Sequence, residues 1–360
     1  MAQIDQFLKV LVEQGGSDLH LTVGSPPIMR VHGHLQRIKF RELTNADMEA
    51  LVYEIMEEEW RITFVDRMDY DFAYEIEGLA RFRVNVFWQK NGMGCVLRTI
   101  PSEILTADQL GLPDAVKRLC MLTKGLVLVT GPTGSGKSTT LAAMTDLINE
   151  TRAEHILTIE DPIEFVHPNK KALVNQREIR TNTKSFANAL RAALREDPDV
   201  ILVGEMRDRE TIELGITAAE TGHLVFGTLH TNSAPKTVDR IIDVFPADQQ
   251  EQIRAMLAES LKGVISQVLL RKKGGQGRMA AQEIMVGTGA ISNLIRENKI
   301  HQIPSMIQTG KKDGMQLLDQ HILEYLMSDQ VDPREAYMKA NNKQAFKQYL
   351  EEEPPALEFV

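Results

Sequence analysis

Residues 125–140 read GLVLVTGPTGSGKSTT, and this stretch decides the fold. The apolar run at 126–129 predicts a buried strand, and the residues after Ser138 predict a helix. The loop between them matches G-x-x-x-x-G-K-[ST] in the order strand, loop, helix that a phosphate-binding loop requires. A glycine-rich turn that merely contains a lysine is the alternative, and the flanking strand and helix disfavour it. The stretch therefore predicts a nucleotide site in an α/β fold.

Each residue type in this loop suits one part of a bound phosphate chain. The glycines let the backbone curl so that its N–H groups face phosphate oxygens, and the helix N-terminus adds partial positive charge. Lys137 is expected to reach the terminal phosphates, and Ser138 to ligate Mg²⁺. We therefore predict ATP and Mg²⁺ as ligands, with the nucleotide bound by Gly131, Pro132, Thr133, Gly134, Ser135, Gly136, Lys137, Ser138 and Thr139.

Residues 1–100 differ from the rest of the chain in their pattern of polar and apolar residues. Alternating polar and apolar residues, as in RFRVNVF at 81–87, predict half-buried strands. Thr44, with Asp47 three residues later, predicts the start of a helix that reaches about Glu58. These patterns predict a small α+β domain, followed at 101–112 by a linker and hinge that contains proline and glycine.

From residue 113 onward, short apolar runs (LVLV, ILTI, VILV, LVFGTL) alternate with helical stretches. Strands that are apolar throughout are typical of a parallel sheet covered on both faces. Residues 113–360 are therefore predicted to form a nucleotide-binding α/β core with a mostly helical C-terminal part. A hairpin is expected within 269–285, with the basic run 271–273 at its solvated tip.

Carboxylates follow two of the predicted strands. Glu205 ends the run DVILVGE, where a carboxylate associated with Mg²⁺ is needed. Glu160, Asp161 and Glu164 follow another strand, and Pro162 places them on a loop. We predict that Glu205 helps to hold Mg²⁺, directly or through water, and that Glu164 or Glu205 polarises the attacking water. Acidic capping of a surface turn is the alternative for the loop at 160–164.

Two histidines stand at the two ends of the predicted strand LVFGTL. His230, followed by Thr231, Asn232 and Ser233, is the better candidate for sensing a terminal phosphate, and His223 is the second polar trigger. Metal ligation is disfavoured because no cysteine or carboxylate recurs nearby at ligand spacing. A core or hydrogen-bonding histidine is an equally weighted alternative for both.

Arginines from a neighbouring subunit are further candidates, since a guanidinium neutralises the charge that develops on a transferred phosphoryl group. A solvated or ion-paired surface arginine is the commoner case for each. The candidates are Arg81, Arg83, Arg195, Arg207 and Arg209.

Composition narrows the class of protein. The formal net charge of −9 disfavours a general polyanion binder, so no nucleic acid is expected as a partner. Cys95 and Cys120 are too few for a disulfide framework or a four-cysteine zinc site, and they are interpreted as buried thiols in a reducing compartment. Since no apolar run reaches bilayer-spanning length, direct membrane insertion is not expected.

Four segments together resemble the secretion ATPase superfamily, and within it the motors that retract type IV pili: GPTGSGKST, TIEDPIEF, LREDPDVILVGEMRDRET and TGHLVFGTLHTNSA. In that family they are the Walker A loop, the Asp box, an atypical Walker B segment and the His box. The resemblance implies a PAS-like N-terminal domain, a RecA-like ATPase core and a homohexameric ring. It also identifies Arg81 and Arg83 with the family's nucleotide-contacting arginines.

Two features select the retraction branch. The extension motor carries a tetracysteine zinc site, which this chain lacks, and residues 290–297 read AISNLIRE, similar to the AIRNLIRE motif of retraction motors. Ser292 stands where that motif has its first arginine. The branch implies a cytoplasmic ATP hydrolase at the inner membrane. It would pull through a membrane platform protein and act on pilin indirectly in twitching motility.

Two other functions stay open. A RecA-like nucleic-acid translocase shares the phosphate loop, but an isoelectric point near 5.6 and 6% aromatic residues disfavour the basic, aromatic channel that it needs. An accessory, nucleotide-gated module with little turnover is the other alternative. The presence of both Glu164 and Glu205 argues against it.

Overall fold

The computed structural model describes residues 2–31, 33–100, 103–275 and 277–350 and divides into two compact units. The first unit comprises Met1–Glu103 with Pro162–Val166, and the second comprises Ile104–Asp161 and His167–Val360. The division at 103/104 falls within the predicted linker, of which Pro101 and Ser102 lie outside the described residues. A hinge at this point stays a prediction.

The first unit is built on a six-stranded antiparallel sheet in the order β3-β2-β1-β6-β5-β4. Its helices and strands are α1 (Asp5–Glu13), β1 (Gly16–Thr22), β2 (Ile28–Val31), β3 (His34–Arg37), α2 (Asn45–Tyr53), α3 (Glu58–Arg67), β4 (Asp69–Ile76), β5 (Ala80–Gln89) and β6 (Gly92–Ile100).

Alternation along β5 explains this sheet. Phe82, Val84 and Val86 are fully buried, whereas Arg81 and Arg83 lie on the other face. The predicted α+β domain is therefore confirmed. Its helices cover the apolar face of an antiparallel sheet.

One local prediction in this unit is wrong. The helix expected from Thr44 to about Glu58 ends earlier, at Tyr53, and a separate helix, α3, starts at Glu58. The predicted start is correct: Thr44 and Asp47 form a reciprocal capping box. Strand β6 runs to Ile100, where it still pairs with β5, and ends directly before the predicted linker at 101–112.

The second unit holds a seven-stranded sheet in the order β13-β12-β7-β11-β10-β8-β9. Two 3₁₀ turns accompany its helices and strands, which are α4 (Asp114–Cys120), β7 (Gly125–Thr130), α5 (Lys137–Thr151), β8 (His155–Glu160), β9 (Leu173–Glu178), α6 (Phe186–Ala193), β10 (Val200–Val203), α7 (Arg209–Glu220), β11 (Leu224–Leu229), α8 (Ala234–Asp243), α9 (Gln250–Ser260), β12 (Leu261–Arg271), β13 (Arg278–Val286), α10 (Gly289–Arg296), α11 (Ile303–Thr309), α12 (Leu318–Met327), α13 (Pro333–Lys339) and α14 (Lys343–Lys347).

All neighbouring strands from β12 to β9 run parallel, and only the edge strand β13 is antiparallel. Every residue of β7, β10 and β11 is buried, as the apolar runs predict for a sheet covered on both faces. The predicted α/β core is confirmed. Since β7, β10 and β11 are parallel neighbours, the loops after them emerge at one edge of the sheet.

Strand β12 is longer than the sequence predicted. It starts at Leu261 rather than near 269. Its first half pairs with β7 on one side, and its residues 263–271 form the expected hairpin with β13 on the other. The tip is less detached than predicted, because Lys273 forms an ion pair with Asp329 and its N–H donates to the carbonyl of Gln330. Gln276 in the same turn lies outside the described residues.

Both cysteines of the chain lie in the core. Cys95 and Cys120 are fully buried free thiols, and burial raises the pKa of Cys120 to about 12 and that of Cys95 still further. Within the described ranges, no helix is long and apolar enough to cross a bilayer.

Burial of His167 makes the stability of the second unit depend on pH. The side chain is 8% exposed, its Nδ1 has no partner among the described residues, and burial lowers the pKa of the imidazole from 6.5 to about 4. Between these values the unfolded chain binds a proton that the folded chain does not, so the free energy of unfolding falls as pH falls. We expect His167→Leu to remove about 2 kcal/mol of the loss that wild type shows between pH 6.5 and 5, measured by urea unfolding.

Exposed His301 supplies the matched control for this experiment. His301→Leu should leave the pH dependence of wild type unchanged. Equal pH dependence in wild type and His167→Leu would contradict the prediction.

Candidate functional site

The loop after β7 has the backbone of a phosphate cradle, and we call residues 131–138 the P-loop. Gly131, Gly134 and Gly136 all have positive φ, at 145°, 77° and 86°. At Gly131 a Cβ atom would lie 2.4 Å from the carbonyl oxygen of Gln267, whereas at Gly134 it would meet nothing within 4 Å. Gly131 is thus required by packing, and Gly134 faces open space into which the loop curls.

Lys137 and Ser135 show how the P-loop is poised for an anion. The Lys137 ammonium donates to the carbonyls of Gly131, at 2.8 Å, and Pro132, at 3.1 Å, so it lies over the loop. The Ser135 hydroxyl is buried without a hydrogen-bond partner in the described structure. Lys137 also begins α5, whose first N–H groups have no partners within the helix. These donors fit a phosphate group.

A buried polar network supports the P-loop from below. The Gln267 side-chain amide donates to the Ser135 carbonyl at 2.7 Å, and its oxygen accepts from Thr140 at 3.0 Å. That oxygen also accepts from the Gln282 side chain at 3.3 Å. Since Gln267 and Gln282 are each 1% exposed, these bonds satisfy amides that would otherwise be costly to bury.

Glu205 and His230 come together at the edge predicted for them. Glu205 follows β10, and His230 follows β11; the His230 Nε2 atom lies 2.8 Å from Glu205 Oε1. Arg207 pairs with the same oxygen, and this hydrogen bond raises the pKa of the arginine. The Glu205 carboxylate therefore contacts both the His230 imidazole and the Arg207 guanidinium, at the sheet edge where the P-loop begins.

The three carboxylates near β8 have different surroundings. Glu160 is the last residue of β8 and accepts from Thr158 at 2.7 Å, whereas Asp161 pairs with Arg180 at 2.8 Å. Glu164 lies in the segment Pro162–Val166, which groups with the first unit. Glu160 and Asp161 therefore have separate hydrogen-bond partners within the second unit.

The remaining predicted residues are one histidine and four arginines. His223 precedes β11, at the end of that strand opposite to His230, and its Nδ1 is 3.0 Å from the Ala218 carbonyl. Arg195 is an exposed residue between α6 and β10, and Arg209 is the first residue of α7. Arg81, which lies 3.7 Å from Glu75, and Arg83 belong to the first unit. Contact of any of these residues with nucleotide stays a prediction.

A cavity of about 430 Å³ lies beside the P-loop within the second unit. Its walls come from the P-loop, the loop after β11, the end of β12 and the C-terminal helices. The residues that line it include Pro132, His230, Asn232, Leu318, Lys339 and Asn341.

Sequence reasoning missed the polar support and the C-terminal wall of this site. The one available signal was the pair Ser266 and Gln267 within the apolar run VISQVLL, since a polar pair in a buried strand requires partners. Lys339 and Asn341 carried no signal, because they lie about 200 residues after the P-loop.

A family model described as type II/IV secretion system protein matches residues 1–358. The chain belongs to this family. Among the relatives of this secretion-system chain, the type IV pilus retraction ATPase PilT of Pseudomonas aeruginosa is 59% identical over 316 residues, 88% of this chain and 92% of the relative. A twitching motility protein of Neisseria gonorrhoeae is 54% identical over 319 residues, 89% of this chain and 85% of the relative.

A solved structure extends the likeness to the fold. The crystal structure of the pilus retraction motor PilT with bound ADP has a TM-score of 0.88 and 48% identity to this secretion-system chain, and the match covers 96% of this chain and 98% of that one. The predicted secretion ATPase family and its α/β fold are therefore confirmed.

Two glycines of the P-loop provide a matched test of its packing. We expect Gly131→Ala to lower the free energy of unfolding by about 3 kcal/mol or more, because the strain of its φ adds to the clash with the Gln267 carbonyl. Gly134→Ala carries only the backbone strain, about 1 kcal/mol. Urea unfolding without nucleotide measures both losses. Equal losses in the two variants would contradict the requirement for glycine at position 131 by packing.

Proposed function

We propose that this chain is a pilus retraction ATPase, a motor that couples ATP hydrolysis to type IV pilus disassembly in twitching motility. The observation that carries the proposal is the meeting of the P-loop, Glu205 and His230 at one sheet edge. The chain that holds them is 59% identical to a pilus retraction ATPase. It thus has the parts that phosphoryl transfer to water needs: a phosphate cradle, a carboxylate and a polar group that touches it.

Within this proposal the residues of the site have the following tasks. Lys137 turns from its two loop carbonyls toward the terminal phosphates and neutralises their charge. The Ser135 hydroxyl donates a hydrogen bond to a phosphate oxygen. His230 senses the terminal phosphate. Because it also contacts Glu205, it connects that carboxylate to the presence of the phosphate. Glu205 or Glu164 accepts a proton from the attacking water.

Mg²⁺ fits the residues present. Among the described residues no cluster of three or more histidine, cysteine or acidic side chains is placed to hold a metal ion. Mg²⁺ in nucleotide sites is held mainly by phosphates and water, with one or two protein oxygens, which here are those of Ser138 and Glu205. When bound, the ion supplies positive charge to the phosphate oxygens.

The assembly and partners follow from the same family. We propose a cytoplasmic homohexamer in which one of the predicted arginines acts on a neighbour's nucleotide, with the linker at residues 101–112 as the hinge. The candidates are Arg81, Arg83, Arg195, Arg207 and Arg209. The ring would work against an inner-membrane platform protein and reach pilin indirectly.

The proposal is tested by steady-state ATPase activity and mass photometry on the same preparation. Wild type should hydrolyse ATP as a six-subunit particle, and single-stranded DNA should leave its rate unchanged. Lys137→Ala and Glu205→Ala should each lower kcat by at least about a hundredfold, because each removes charge stabilisation or water activation from the transition state.

Two controls separate these effects from damage to the fold. Lys124 precedes β7 at the end opposite to the P-loop, and Glu213 is exposed on α7. Lys124→Ala and Glu213→Ala should keep wild-type activity. In a piliated bacterium that lacks its retraction motor, wild type should restore twitching and Lys137→Ala should not. A monomer, or strong stimulation by DNA, would favour the translocase or the passive module instead.

A further inference from the structure

The C-terminal helices form one wall of the cavity beside the P-loop. Lys339 ends α13, Asn341 follows it, and Leu318 begins α12; all three line the same cavity as Pro132 and His230. This wall lies about 200 residues after the P-loop in the chain, and none of the nucleotide roles assigned above uses it.

The cavity lies at the terminal-phosphate end of the site. The carbonyl of Pro132 accepts from the Lys137 ammonium, and His230 contacts Glu205. Both Lys137 and Glu205 are the groups that act on the terminal phosphate in the proposed function. A space bounded by Pro132 and His230 therefore adjoins that phosphate rather than the nucleoside.

The charge of the lining fits an anion. Lys339 is exposed to the cavity, makes no ion pair with any described residue, and shares the cavity with the imidazole of His230. The other polar groups of the lining are the Thr231 hydroxyl and the side-chain amides of Asn232 and Asn341, and no carboxylate is among the described residues that line the space. An ammonium with amide donors around it is suited to phosphate oxygens.

Hydrogen bonds to two carboxylates hold this wall in place. Asp319 on α12 accepts from the backbone N–H groups of Asn341 at 2.7 Å and Asn342 at 2.8 Å, so the turn after Lys339 is fixed. Glu283, 5% exposed, accepts from the N–H of Ala234 at 2.8 Å and also interacts with the backbone of Leu318. One carboxylate on β13 thereby joins the helix after the His230 loop to the helix that begins the wall.

A second connection runs to the P-loop itself. The Gln282 N–H donates to His321 Nδ1 on α12 at 3.1 Å, and the Gln282 side chain reaches Gln267, which holds the carbonyl of Ser135. These bonds fix the distances between the P-loop, the loop after β11 and the C-terminal wall. Such preorganisation is what a binding subsite requires.

We propose that Lys339 and Asn341, together with His230, form a phosphate subsite that receives either the terminal phosphate of the bound nucleotide or the orthophosphate released from it. The proposal rests on the proposed function, because it presumes a nucleotide on the P-loop. In this site the C-terminal helices contribute a second ammonium opposite Lys137, and ADP alone does not reach it.

Lys339→Gln tests the subsite, with Arg334→Gln on the same helix as the matched control, since Arg334 is exposed and does not line the cavity. Affinities for MgADP and for the nonhydrolysable triphosphate MgAMP-PNP are measured on the full-length protein by calorimetry, and orthophosphate is titrated as a product inhibitor of ATPase activity. We expect Lys339→Gln to bind MgADP as wild type does and to lose about tenfold in either AMP-PNP affinity or inhibition by orthophosphate.

The two arms identify the occupant. Loss of AMP-PNP affinity assigns the subsite to the terminal phosphate, and loss of orthophosphate inhibition alone assigns it to the released product. Lys339→Arg should restore most of either effect, and Asn341→Ala should show about a threefold loss, because the backbone bond to Asp319 remains.

Other outcomes overturn the subsite. If Lys339→Gln matches Arg334→Gln in every measurement, or weakens the binding of MgADP and MgAMP-PNP equally, Lys339 does not form a subsite for the terminal or released phosphate. These results leave the proposed function intact. That function fails separately if wild type neither binds MgADP nor hydrolyses ATP.

Discussion

The parallel register around β7 determines where every polar group of the site lies. Thr130, the last residue of β7, pairs with Leu229 of β11 on one side and with Ser266 of β12 on the other. This register places the P-loop, His230 and Gln267 within one or two residues of the same edge, so each can reach the next. A shift by one residue would turn the alternating side chains to the opposite faces of the sheet and separate these groups.

Local patterns predicted the part of this arrangement that depends on nearby residues. The P-loop, the strand ends at Glu205 and His230, and the capping box at Thr44 follow from spacing within about ten residues, where backbone sterics and capping dominate. The support by Gln267 did not follow, because it joins residues 132 apart through a strand pairing that no local pattern encodes. The cavity wall was missed for the same reason.

Polar groups buried inside the sheet give the second unit a specificity that apolar packing alone lacks. Gln267 and Gln282 face one another across adjacent strands and satisfy amides that cost about 1–3 kcal/mol each when left unpaired. A sheet with slipped pairing would leave them unpaired, whereas an apolar strand would tolerate the slip with less loss. The same hydrogen bonds that support the P-loop therefore also discriminate against wrong strand pairings.

The burial of both thiols has a practical consequence. The nucleophile in maleimide labelling is the thiolate, and the raised pKa values of Cys95 and Cys120 leave almost none of it near neutral pH, in addition to blocking access. For such reagents the native chain behaves as a cysteine-free background. Fluorophores can then be attached at one introduced surface cysteine in each unit, so that distances between the two units are read in single molecules during turnover without first removing native residues.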